Sequence, residues 1–174
     1  MDIRKNAFSI TSLNEKIYLA SVGKEGGIYE VPTKNFESTT QSDEPLSSSF
    51  NKIIYNSSNI CDEVHSIHAY SSNRLTGLVF SDMKRCTIAL YALDGKYSII
   101  SGQQYIKGSS DGVYGSYNQP TSIWVIGETI LACDTATKMV KLISPGTAII
   151  AYLENIDRFL RTFGVTLPGE KNAK

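Results

Sequence analysis

Histidine is nearly missing from this chain: His65 and His68 are the only imidazoles in 174 residues. They stand three apart in a stretch that reads as a strand, where side chains alternate faces, so they point to opposite sides and cannot chelate one metal together. Cysteine is equally thin. Cys61, Cys86 and Cys133 are odd in number, widely spaced and without a C-x-x-C partner, which excludes a disulfide framework and a zinc knuckle and leaves reduced, mostly buried thiols. Excess charge of either sign is missing too. Seventeen basic residues balance seventeen acidic ones, so no general field draws the chain to nucleic acid or to an anionic membrane. No apolar run reaches the length of a signal peptide or a membrane span, which points to a cytoplasmic protein with no membrane partner. There is also no P-loop, G-x-S-x-G elbow or dinucleotide fingerprint. Residues 108–115 (GSSDGVYG) are glycine-rich but lie between strands, with no helix N-terminus to receive a phosphate. These absences predict no catalytic residue, no metal and no cofactor.

What the chain does have is strand signal, repeated. About two-fifths of its residues are apolar and one-fifth charged, the mix of one soluble globular domain. Short alternating segments begin at Ser9, Ile17, Gly27 and Asn51, again at Val64, Leu75, Cys86 and Tyr97, and again at Pro120, Thr129 and Met139. Ile10, Ile67 and Ile123 occupy equivalent positions, each just after a serine. Antiparallel meanders repeated at this period predict an all-β chain of about three four-stranded β-propeller blades, at 8–56, 64–101 and 119–144, because one small sheet cannot bury both faces alone. Residues 1–146 form this partial propeller. Residues 36–49 (FESTTQSDEPLSSS) are a polar insertion within the first blade. The third unit shows no outermost strand.

The candidate site residues are turn-formers. Asp82 and Asp134 end the second strand of their units, where a short carboxylate accepts backbone N–H groups across the following turn. Ser21 or Val22 stands there in the first unit, so that turn is expected to be less well held. Asp94-Gly95 is a strong hairpin pair, and Asp111-Gly112 opens the loop before the third unit. Ile10, Leu19, Ile28, Leu78, Phe80, Ile88, Ile123, Leu131 and Val140 are expected to be buried between sheets. Asp62-Glu63 reads as a solvated loop pair. Tyr114, Tyr117 and Trp124 could offer bases a stacking surface, but only Lys107 is nearby, so blade packing is the expected use.

In the third unit, Asp111-Gly112, Asn118-Gln119-Pro120-Thr121-Ser122-Ile123, Leu131-Ala132-Cys133-Asp134 and Val140-Lys141-Leu142-Ile143 together resemble an NHL repeat. The second unit, LTGLVFSDMKRCTIALYALDGK, is similar to the YWTD blades of LDL-receptor-type propellers. The resemblance implies the C-terminal part of a ring of about six blades. It implies a non-enzymatic scaffold that binds a protein partner, with self-association through open blade faces. The alternatives it carries are a remnant of a metal-dependent propeller lyase or hydrolase, and an RNA-binding propeller. After Pro145-Gly146, the spacing of Ile149, Leu153, Ile156, Leu160 and Phe163 predicts an amphipathic helix over 147–164 as an interaction element, with a disordered tail at 165–174.

Overall fold

The computed structural model describes residues 7–23, 26–31, 50–56, 58–73, 75–112, 115–144 and 149–152. Twelve strands make three four-stranded antiparallel sheets, each a simple meander. Sheet one is β1 (Ala7–Leu13), β2 (Lys16–Ser21), β3 (Gly27–Val31) and β4 (Asn51–Tyr55). Sheet two is β5 (Val64–Ser71), β6 (Thr76–Asp82), β7 (Thr87–Ala92) and β8 (Tyr97–Gly102). Sheet three is β9 (Pro120–Ile126), β10 (Thr129–Asp134), β11 (Met139–Ser144) and β12 (Ile149–Tyr152). The first strands are neighbours, β1 beside β5 and β5 beside β9. No helix occurs among the described residues, and none there is long and apolar enough to cross a membrane.

β12 corrects two sequence expectations. Ile149 begins the fourth strand of sheet three, not a helix, and that sheet does have an outermost strand, pairing Ser144 with Ile149 and Lys141 with Tyr152. The outer edge of β11 offers unpaired backbone groups, and Ile149, Ile150 and Tyr152 are good strand formers. Pairing therefore overrides the helical rhythm there. Leu153, Ile156, Leu160 and Phe163, the polar stretch 36–49 and the tail 165–174 lie outside the described residues.

The three sheets share irregularities as well as order. The register between first and second strands shifts at the same place in each, skipping Phe8, His65 and Thr121. The register between third and fourth strands shifts in sheets one and two, skipping Ile53 and Ile100. A bulge adds one residue to one strand and sharpens its twist. Its recurrence makes Ser21, Asp82 and Asp134 structural equivalents, along with Ile10, Ile67 and Ile123.

Two cores hold the sheets together. Val64, Ile67, Leu78, Phe80 and Ala89 of sheet two join Leu13, Tyr18, Ala20, Ile28 and Ile54 of sheet one. On the opposite face, Val79, Ile88 and Leu90 join Ile123, Ile130, Ala132 and Ile143 of sheet three. Sheet two is thus covered on both sides, which is why its central strands read as near-continuous apolar runs, buried residue after residue. In β10, by contrast, buried and half-buried residues alternate.

Four burial expectations need correction, and one cause covers them all. Ile10 is 65 % exposed and Leu19 is half-buried, whereas their equivalents Ile67, Phe80, Ile123 and Ala132 are buried. Leu131 and Val140 are half-buried, whereas Tyr18, Ile28, Val79 and Ile88 at the same repeat positions are buried. Ile10 and Leu19 face away from sheet two on the first sheet, and Leu131 and Val140 do so on the third. A repeat position is buried only where a neighbouring sheet covers it.

Candidate functional site

β5 and β9 are edge strands, and the backbone groups on their free side need partners. The preceding sheet supplies them from side chains. Ser9 Oγ accepts from Ile67 N at 3.2 Å and donates to Ile67 O at 3.1 Å, and Thr11 Oγ1 accepts from Ala69 N at 3.0 Å. One sheet later the same bond recurs: Ser66 Oγ accepts from Ile123 N at 3.2 Å. A serine is short enough to reach the neighbouring strand, and its hydroxyl can both donate and accept.

Beside these serine clips runs a row of rings. Phe8 meets His65 at 5.2 Å between centroids, and His68 meets Trp124 edge-on at 4.9 Å. His65 Nδ1 lies 2.9 Å from Thr121 O and His68 Nδ1 2.9 Å from Ala69 O. A carbonyl has no proton to give, so both imidazoles carry hydrogen on Nδ1 and donate it. Each histidine bonds backbone, and among the described residues no three His, Cys, Asp or Glu side chains cluster as a metal set. Phe8 and Trp124 are 61 % and 60 % exposed. Tyr117 is fully buried, its hydroxyl 2.8 Å from that of Ser101; it packs in the second core and offers no surface for a base. Tyr114 lies outside the described residues.

The recurring aspartates hold the segments that lead from one sheet into the next. Asp82 accepts from Asp62 N at 2.7 Å, Glu63 N at 3.2 Å and, across its own turn, Arg85 N at 3.0 Å. Asp134 accepts from Asn118 N at 2.7 Å and Gln119 N at 2.8 Å. Burial holds the Asp82 carboxyl above the usual carboxylate range, against the pull of these donors and of Arg85. In sheet one Ser21 takes that position, and Asn56 does the holding: its Nδ2 donates to Ser21 O and Gly23 O, and its Oδ1 accepts from Val64 N. That turn is therefore anchored by an amide from the end of β4. Gly26 makes room for it, since a Cβ there would collide with Ser21 O and Asn56 Nδ2.

The remaining turn residues act locally. Asp94 Oδ1 accepts from Lys96 N at 3.1 Å in the β7–β8 hairpin, where Gly95 takes a φ of 84°. Gly112 has a φ of 101°, and its carbonyl accepts from Gly115 N.

Two buried cations are missing from the sequence expectations. Arg85 Nη1 donates to Asn59 O and Ile60 O and Nη2 to Ser58 O, while its Nε lies 3.5 Å from Asp62 and 3.7 Å from Asp82. Tyr105 Oη also donates to Asp62, at 2.7 Å. Lys141, fully buried in β11, donates at 2.7 Å to both Ser110 O and Ser116 O, with Asp111 at 3.5 Å and the Tyr117 ring centroid at 5.1 Å. Arg85 sits in a turn and reads as a surface residue. Lys141 does leave a signal, because it shares strand parity with the inward Ile143.

Cys61 lies against this network, its Sγ donating to Asn56 Oδ1 at 3.7 Å. Burial foremost, then Asp82, pushes the Cys61 thiol from 9.0 up to about 12. Burial likewise raises the Tyr117 hydroxyl. A raised folded-state pKa means that the protonated form is favoured by folding. The Cys61 contribution is therefore whole below pH 9 and is lost as pH climbs through about 12. The thermal midpoint should fall steeply over that window, and Cys61→Ala should flatten the fall; circular dichroism melts across the alkaline range check it.

No protein-family model matches the chain, and no curated protein matches it.

Proposed function

We propose that the chain is a non-enzymatic protein-interaction scaffold, built from three blades of an NHL-type β-propeller at 8–56, 64–101 and 119–144. The observation that carries this reading is the serine clip: Ser9 on Ile67 and Ser66 on Ile123 repeat one sheet-to-sheet relation. A repeated relation between neighbours turns sheets about a common axis, with the first strands innermost, as blades are arranged. Recurring Asp82 and Asp134 fit the same repeat. Their carboxylates are occupied by backbone N–H groups, and both histidines donate to carbonyls, so these four ionisable groups serve the architecture.

Ser66→Ala should destabilise the chain by about 1–3 kcal/mol, because it strands the Ile123 N–H in a buried interface. Ser122→Ala, at the equivalent but exposed position, should be within about 0.5 kcal/mol of wild type in the monomer. Urea titration separates the two, and equal costs would remove the clip from the argument. Metal analysis of the purified protein tests the non-enzymatic assignment, since stoichiometric calcium or zinc would favour a metal-dependent enzyme. Salt-dependent RNA binding would favour an RNA-binding propeller.

A further inference from the structure

The two terminal sheets present the separate halves of the interface that occurs twice inside the chain. Within it, one half is a second-to-third-strand face with a clipping serine: Ser9 with Tyr18 and Ile28, then Ser66 with Val79 and Ile88. On sheet three the equivalents are Ser122, Leu131 and Val140. Ser122 is exposed and its hydroxyl meets no hydrogen-bond partner among the described residues, and the two apolar side chains are half-buried. The other half is a first strand whose isoleucine receives the clip, as Ile67 and Ile123 do. On sheet one that residue is Ile10, exposed, with Phe8 exposed beside it and Leu19 half-buried across from it. The open part of this face is its first-strand side, for Tyr29 and Val31 on β3 are buried.

We infer that the partner of this scaffold is a second copy of the same chain, docked head to tail. Sheet three of each copy covers the first-strand face of the other, and Ser122 Oγ bonds the backbone of Ile10. This rests on the blade reading above. A second copy suits both faces at once because each is a repeat-equivalent of a surface already buried inside the chain, so shape, side-chain type and the clip are matched in advance. A face-to-face pairing of like ends would set Ser122 against Ser122 and leave the Ile10 backbone groups without the hydroxyl that their equivalents use. Two head-to-tail contacts close on themselves under a twofold axis and leave no free end for further growth.

Sedimentation of the 174-residue protein should show a dimer at about 50 µM, and Ile10→Asp and Val140→Asp should each weaken association by about 100-fold or more, the scale of an unpaired charge buried in an interface. Ile10 is exposed and Val140 only half-buried in the single chain, so folding should survive such changes, which melting curves check. Orientation is read by cysteine pairing in a Cys133→Ala background. Ser122→Cys protein mixed with Ile10→Cys protein should oxidise to a covalent pair of one copy of each, while Ser9→Cys with Ile67→Cys in one chain forms the internal reference bond. A wild-type monomer at that concentration overturns the inference, as does Ser122→Cys pairing only with itself. If the internal bond forms and the mixed one does not, the blades stand and the dimer falls. If the internal bond also fails to form, the blade reading falls with it.

Discussion

Asp82→Ala should unfold the chain more readily than any other single turn substitution, by about 3–5 kcal/mol, as expected when one partner of a buried charged network is removed. Three backbone N–H groups lose their acceptor, and Arg85 is left buried with Asp62 as its remaining carboxylate. Asp134→Ala removes an acceptor from two N–H groups and strands no arginine, so its cost should be nearer about 2 kcal/mol. Asp82→Asn should fall between wild type and Ala, because an amide oxygen still accepts but does not balance the guanidinium. Denaturant midpoints of the three variants give the order. If Asp134→Ala proved as damaging as Asp82→Ala, the weight placed on Arg85 would be wrong.

Lys141→Met is the second large effect, about 2–4 kcal/mol. Methionine keeps most of the stem that packs in β11, so what is lost is the ammonium and its bonds to Ser110 O and Ser116 O. Those carbonyls belong to the segment that carries the chain from sheet two into sheet three, so the damage should be local as well as global. Hydrogen exchange should quicken at Ser116, whose N–H bonds Ser110 O, before the β5–β8 amides change. Burial lowers the Lys141 pKa, with Asp111 opposing, so the buried charge is itself a cost at neutral pH. If Lys141→Met were as stable as wild type, that cost would fully offset the bonds, as it does in some buried ion pairs.

The element order up to β11 followed from local signals: alternating apolar residues, glycines at reversals, and a serine–isoleucine pair recurring at Ile10, Ile67 and Ile123. Those signals are short-range, since a strand's period and a turn's φ requirement are properties of adjacent residues. The carboxylates at Asp82 and Asp134 were visible for the same reason, as they recur at one position of the repeat.

Only the tertiary structure decided which repeat positions are buried. Ile10 and Ile67 are the same residue type in the same place, yet one is exposed and the other is covered by sheet one. Burial is conferred by a neighbour, and the residue itself does not encode whether that neighbour exists. The same holds for β12, where 149–152 carry a helical rhythm until the open edge of β11 supplies a ladder to join. It holds as well for Lys141 and Arg85, whose charges are tolerable because backbone carbonyls and carboxylates from other segments converge on them. A side chain's period is written in its own stretch of sequence, whereas its partners are set by how the sheets stack.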